Sequence, residues 1–359
     1  MVEEFQDRIG RLSRAADLSG REVLLVSHLP DIRWASGFTG SNACLLVTPS
    51  GHLLITDGRY KEQVRSECPG LEAHIVSGPL EVAAAAVITE RQLDRVFLQQ
   101  SRVTWGTAEN LRSACDGQVE LVARDPLVHL RAVKSDEEVR AIRKALTITE
   151  QVFEQTLPLL KEGITEQEIA AEIDHRHRLL GASGPAFDTI VAFSEHAALP
   201  HARPGNRPLK RGDVVLMDFG GVVEGYHSDM TRTVTFGRSD KLFLEAYEAV
   251  RSALLSATEA ARAGMTGEHL DGVARQVLTE HGFGSAFTHS LGHGVGLEIH
   301  ESPSVSSRNS DPLPAGSIIT LEPGVYLPGD FGIRIENMAR LNADGNTILN
   351  ASSTELIRL

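Results

Sequence analysis

Gly212-Asp-Val-Val-Leu-Met-Asp218 and Gly316-Ser-Ile-Ile-Thr-Leu-Glu322 share one pattern: a glycine, an apolar run, and a carboxylate six residues after the glycine. Both apolar runs have the character of buried strands. Each is followed by a turn and a second strand-like run carrying another acid, Asp229 in the first copy and Glu336 in the second. This predicts a duplicated half-unit, each half a hairpin presenting two acids. Related by an approximate two-fold, the hairpins would point four carboxylates at one spot. The competing reading is chance likeness, because apolar runs after glycine are common.

Upstream of these copies, two helix starts are marked. Ser135 is followed three residues later by Glu138, and Thr165 by Glu168. Both spacings are capping boxes, in which the hydroxyl and the carboxylate each satisfy a free backbone N–H. The first predicts a long helix with Val139, Ile142, Ala145 and Leu146 on one face, and the second a helix carrying Ile169, Ile173 and Leu180. Further upstream the pattern alternates. Helices are expected over about 2–17, 59–67 and 81–93, with strands at Val23–Ser27, Ala43–Val47, Leu53–Thr56, Ala73–Val76 and Arg95–Leu98. Pro49-Ser50-Gly51 reads as a hairpin turn. This is an α/β first domain. The boundary is placed just ahead of the long helix, giving domains 1–128 and 129–359.

The length of 359 residues agrees with two domains. A net charge of −13 repels phosphate backbones, so nucleic acid is not an expected partner. No stretch is long and apolar enough to span a membrane. The N-terminus Met-Val-Glu-Glu-Phe-Gln-Asp lacks the apolar core of a signal peptide, which predicts a cytoplasmic protein. Cys44, Cys68 and Cys115 are scattered and odd in number, and are expected to be buried, reduced thiols.

Asp218, Glu322 and Glu336 all sit among apolar neighbours, where an unpaired carboxylate is costly. Four clustered acids would also repel one another, and divalent cations resolve both problems. His289-Ser-Leu-Gly-His293-Gly-Val-Gly-Leu-Glu-Ile-His300 adds three imidazoles within twelve residues. Its glycines disfavour a helix. His289 and His293 share strand parity, whereas His300 needs a bulge or bend to join them. One imidazole with four carboxylates makes a hard, oxygen-rich site. It suits Mn²⁺, with Co²⁺, Zn²⁺ or Fe²⁺ as alternatives. Two such ions held together point to hydrolysis.

Asp218-Phe-Gly-Gly, Ser228-Asp229-Met-Thr-Arg-Thr, His289-x-x-x-His293-Gly-Val-Gly, Leu321-Glu322-Pro-Gly and Arg334-Ile-Glu336 stand in the order found in the pita-bread metallopeptidases. The chain resembles their proline-directed branch, the prolidases (Xaa-Pro dipeptidases) and aminopeptidases P, over nearly its whole length. Gly37-Phe38-Thr39-Gly40-Ser41 and Thr56-Asp57-Gly58-Arg59-Tyr60 resemble the creatinase-like N-terminal domain, which methionine aminopeptidases generally lack. The resemblance implies an α/β N-terminal domain followed by a pseudo-two-fold catalytic domain with a curved, mostly antiparallel sheet, and a homodimer. It implies two metals: Asp218 on one, Asp229 and Glu336 bridging, His293 and Glu322 on the other. Glu322 would also move protons. His289 and His300 would contact substrate and the tetrahedral oxyanion, and His201 would line the proline side. Arg334 would orient a metal carboxylate, the alternative being an ordinary strand-surface arginine.

Two features depart from the family pattern. The loop before His201 reads Phe193-Ser194-Glu195-His196, with His196 expected to be merely exposed, and Asn337 replaces an acid after Glu336. The expected substrate is a proline-containing di- or oligopeptide, because an Xaa-Pro bond has no N–H and a fixed φ that general peptidases cannot read. The readings are Xaa-Pro dipeptidase, aminopeptidase P on longer peptides, metal-free hydrolysis of a guanidino substrate, or a non-catalytic binding protein. The intact five-ligand set argues against the last two.

Overall fold

The structure, a computed structural model, describes residues 2–238 and 240–359. Two compact units meet in sequence at Arg131 and Ala132.

The first unit is built on a six-stranded mixed sheet, ordered Glu72–Val76, Gly51–Asp57, Ala43–Thr48, Glu22–Val26, Arg95–Leu98 and Glu120–Ala123. The expected turn joins Ala43–Thr48 to Gly51–Asp57. There Thr48 Oγ1 accepts the Gly51 N–H at 3.1 Å and donates to the Gly51 carbonyl at 2.6 Å. The expected N-terminal helix spans Val2–Ala15 and buries Ile9 and Leu12. Helices Leu29–Ser36 and Trp105–Ala114 are not evident from sequence periodicity. The first is short and starts at a proline-bearing turn. The second buries only Leu111, so it has almost no apolar stripe. All three cysteines are buried and free.

In the second unit, Ser135 and Thr165 cap helices Asp136–Thr156 and Glu166–Leu179 with complete capping boxes. Val139, Ile142, Ala145 and Leu146 are buried as expected. Each of the larger of these, Val139, Ile142 and Leu146, contributes roughly 2 kcal/mol when removed from water. All strand pairs of this unit are antiparallel.

The duplication is real and longer than the two quoted runs. Helices Asp136–Thr156 and Glu166–Leu179 precede strand Asp213–Phe219; helices Lys241–Ala260 and Gly267–Glu280 precede strand Ile318–Leu321. The second helix of each pair is capped by a threonine, Thr165 or Thr266, which bridges to Pro208 or Pro312 respectively. Gly163 donates to the Leu209 carbonyl at 2.8 Å, and Gly264 to that of Leu313 at 2.9 Å. Gly212 and Gly316 both take left-handed φ values, 98° and 86°, which favour glycine. Chance likeness of two strands does not reproduce loop bonds of this kind.

The halves are not plain hairpins, however. Strand Asp213–Phe219 pairs with Met230–Phe236, and Ile318–Leu321 with Asn337–Asn342. Between the partners of each pair a small two-stranded ribbon is inserted: Val222–Val223 with Tyr226–His227, and Gly324–Leu327 with Phe331–Arg334. The acids cluster where the chain leaves and re-enters the main strands.

Candidate metal centre

Asp218 lies near the end of its strand, Asp229 one residue ahead of Met230–Phe236, and Glu336 one residue ahead of Asn337–Asn342. Oxygens of these three side chains lie within 4.8 Å of one another. His293 Nε2 is 3.5 Å from Asp229 Oδ2 and 3.3 Å from Glu322 Oε1. The five expected ligands are thus contiguous.

Their surroundings fit cations. Asp218 Oδ1 and Glu336 Oε1 are buried and have no hydrogen-bond partner, a costly state for a carboxylate oxygen. Burial, reinforced by Glu336, Asp218 and Glu322, pushes Asp229 well above the usual carboxylate range. Burial and the charges of Glu322 and Asp218 do the same to Glu336. Glu322 moves the other way: despite burial, the His293 hydrogen bond and charge hold it down to about 2. Burial alone would lower the His293 pKa, but Glu322 and Asp218 raise it on balance. In the metal-free chain this imidazole supplies part of the missing positive charge. His293 Nδ1 lies 3.1 Å from the Gly294 carbonyl, to which it donates, and Nε2 faces the carboxylates.

Glycines bring the histidine segment in. A Cβ on Gly292 would sit 2.1 Å from the Thr320 carbonyl oxygen, and one on Gly294 would sit 2.4 Å from that of Ser302. The register shifts between Gly292 and Gly294, and the segment turns so that the His300 ring meets His293 edge-on at 4.3 Å between centroids. The turned segment is fastened by Glu301, which accepts the Glu298 N–H and pairs with Lys134 at 2.8 Å, both side chains being almost fully buried. Lys134→Met is therefore expected to lower stability by about 3 kcal/mol, because it strands a buried charge. Chemical denaturation measures this; an unchanged midpoint would contradict it.

Arg334 is no surface arginine. It is 3% exposed and donates to Asp218 Oδ2 at 2.6 Å, Thr231 Oγ1 at 3.1 Å, Tyr326 Oη at 2.6 Å and the Pro200 carbonyl at 3.3 Å. Thr231 in turn donates to Glu336 Oε2 at 2.8 Å. Thr320 bridges the other side, accepting the His293 N–H at 3.0 Å and donating to Glu322 Oε1 at 3.1 Å. His289 has both ring nitrogens engaged, Nδ1 donating to the Ser290 carbonyl and Nε2 accepting from Tyr326 Oη, each at 2.8 Å.

Sequence reading does not single out Tyr326, Thr231 or Thr320. Tyr326 is 5% exposed, and burial pushes its hydroxyl up to about 12. A Cβ on Gly324 would lie 2.7 Å from Tyr326 Oη, and one on Gly332 would lie 3.0 Å from its ring. Gly324, two residues ahead of the tyrosine, is the signal the sequence offers; Gly332 faces it only from the paired strand. Asn337 accepts from Arg232 at 3.0 Å instead of joining the cluster.

His196 departs from expectation. It is half-buried, and its Nδ1 lies 2.8 Å from Glu166, which is fully buried. The same carboxylate accepts the Phe193 N–H at 2.8 Å and the Gly205 N–H at 2.9 Å. A buried acid needs such donors, and it draws His196 inward. Glu166 thereby fastens both ends of the loop that carries His201.

A cavity of about 740 Å³ opens over the cluster and is lined by Asp218, Asp229, His293, Glu322 and Glu336, with His201, His289, His300 and Arg334 among its other walls. Its volume suits a small peptide. Among the described residues, no helix is long and apolar enough to cross a membrane.

The profile of metallopeptidase family M24 matches residues 140–343, and that of the creatinase/prolidase N-terminal domain matches residues 8–133. The Xaa-Pro dipeptidase of Pyrococcus horikoshii is 31% identical over 365 aligned residues, covering 99% of this chain and 100% of the relative. The structure superposes on the Xaa-Pro dipeptidase from Bacillus anthracis with a TM-score of 0.94 at 32% identity, covering 100% of both chains. It superposes on the X-Pro aminopeptidase from Thermotoga maritima with a TM-score of 0.89 at 36% identity, covering 96% of this chain and 100% of that one.

Proposed function

The chain belongs to metallopeptidase family M24, and from that premise we propose that it hydrolyses the peptide bond preceding proline, with Xaa-Pro dipeptides as its principal substrates. The observation that carries this reading is the group of four acids and one imidazole at the cavity wall, two of whose buried oxygens lack any donor. Asp218, Asp229, His293, Glu322 and Glu336 would hold two divalent cations, Mn²⁺ first, with Co²⁺, Zn²⁺ or Fe²⁺ as alternatives. Bound there, the cations would polarise the scissile carbonyl and acidify the attacking water.

The chain's own groups do the rest. Glu322, held ionised, accepts a proton and returns it to the leaving prolyl nitrogen. Burial and His293 lower the His300 pKa, so it offers a neutral N–H to the developing oxyanion. His289 reaches substrate only if Tyr326 yields its hydrogen bond; until then it braces Tyr326 and, through it, Arg334. Arg334 orients Asp218. His201 lines the proline side. The reading includes a creatinase-like domain over about 1–128, a cytoplasmic location and a homodimer, the last by family resemblance alone.

Release of the first residue from longer Xaa-Pro peptides is the second reading, favoured by the likeness to an X-Pro aminopeptidase. A paired assay with Mn²⁺, Ala-Pro against Ala-Pro-Ala, each repeated with EDTA, decides between them. Cleavage of the dipeptide alone, abolished by EDTA, is the expected result. Preference for the tripeptide would move the enzyme to the second reading. Silence on both would remove the proline-directed assignment.

A further inference from the structure

Two arginines line the cavity, and they stand in opposite states. Arg334 is buried and fully engaged, with Asp218, Thr231, Tyr326 and the Pro200 carbonyl as acceptors. Arg203 is exposed, and among the described residues its guanidinium has no hydrogen-bond or ion-pair partner, although Asp188 also lines the cavity.

The position of Arg203 is fixed by its neighbours. Ala202 is 4% exposed and packs with Ala192, Ala197 and Leu216, while His201 and Arg203 on either side of it are exposed and line the cavity. With the alanine turned inward, the imidazole and the guanidinium are turned outward together. The Ala202 N–H donates to the Leu199 carbonyl at 3.1 Å, and Gly205 is tied to Glu166 two residues beyond Arg203. Pro204 restricts φ between them. The cavity wall is otherwise rich in acids, which repel an anionic ligand: Asp188, Asp218, Asp229, Glu301, Glu322 and Glu336.

A dipeptide ending in proline carries a free carboxylate one residue beyond the bond to be cut. We propose that Arg203 receives that carboxylate and so sets the preference for dipeptides; this rests on the dipeptidase reading above. The planar guanidinium can take both carboxylate oxygens in a two-pronged contact, which neither an amide nor a continuing peptide chain offers. The spacing suits the task, because His201, assigned to the proline side, is two residues away on the same outward face.

The test compares the Mn²⁺-loaded wild type with R203A and R203K on Ala-Pro and Ala-Pro-amide. The readout is the ratio of kcat/KM for the acid to that for the amide. The wild type is expected to favour the acid. R203A should lower that ratio on the order of 30-fold, chiefly through KM for the acid, and R203K should restore part of it. Thermal unfolding of R203A within a few degrees of wild type confirms that the chain is folded. An R203A enzyme that keeps the wild-type ratio overturns the assignment of Arg203 while leaving the dipeptidase reading intact. A wild type that cleaves no Ala-Pro overturns that reading, and the assignment with it.

Discussion

Asp229→Ala is expected to lose its metal and lower kcat/KM by a factor on the order of 10³ or more, about 4 kcal/mol of transition-state stabilisation, while remaining folded. Asp229 stands at the centre of the proposed ligand set, sharing the acid cluster with Asp218 and Glu336 and lying 3.5 Å from His293. Without it, Glu336 alone would be left to bridge the imidazole side and the Asp218 side. The fold does not depend on this side chain. The Asp229 backbone N–H donates to Met338 Sδ, and the strand that follows pairs with Asp213–Phe219 over seven positions. In the metal-free chain the carboxylate is itself a strain, desolvated and repelled by Glu336, Asp218 and Glu322. The metal-free variant should therefore unfold at no lower temperature than metal-free wild type, unlike most substitutions at buried positions. Elemental analysis, an Ala-Pro assay and a thermal melt read the three parts separately. Turnover near wild type with full metal content would remove Asp229 from the ligand set.

What made the site legible was the cost of burying charge. Asp218, Glu322 and Glu336 stand among apolar residues, and the two half-units carry them in matching places, so the sequence alone predicts four acids at one spot. The capping boxes at Ser135 and Thr165 were legible for a similar reason: each is a complete local hydrogen-bond exchange written within four residues. The supporting residues were not legible because their partners are distant in sequence. Thr231 meets Glu336 across 105 positions, and Tyr326 matters through a hydroxyl shared by His289 and Arg334. Threonine and tyrosine in strands ordinarily mean only that a strand is there. His196 failed for the converse reason. On its own it looks like a surface histidine, and only the buried carboxylate of Glu166, 30 positions earlier, draws it inward. The ribbon inserted in the first half was hidden by length, its two strands having only two residues each.

Removing the metal should abolish turnover and destabilise the fold, and the destabilisation should grow as pH rises. Asp229 and Glu336 are carboxylates whose folded pKa values lie well above the ordinary 3.8 and 4.5, chiefly through burial and then through their acidic neighbours. In the metal-free protein the folded state thus binds more protons than the unfolded chain between the ordinary and the raised values. Stability falls with rising pH across that window. His293 adds to the trend: its pKa is raised above 6.5 by Glu322, so its contribution is full below that value and is lost as pH rises through the folded one. Glu322 opposes it only in acid, where its contribution is lost as pH falls from 4.5 towards about 2. Divalent cations compete with these same protons, so they bind more tightly as pH rises. The melting temperature of the metal-loaded protein should accordingly exceed that of the EDTA-treated protein by roughly 5–10 °C at neutral pH with metal at a hundredfold excess over Kd. The gap should narrow towards about pH 5. Melts of both forms across that range, with Mn²⁺ readdition as the control, test the point. A gap that stays constant or widens in acid would mean that the buried acids are not what the cations replace.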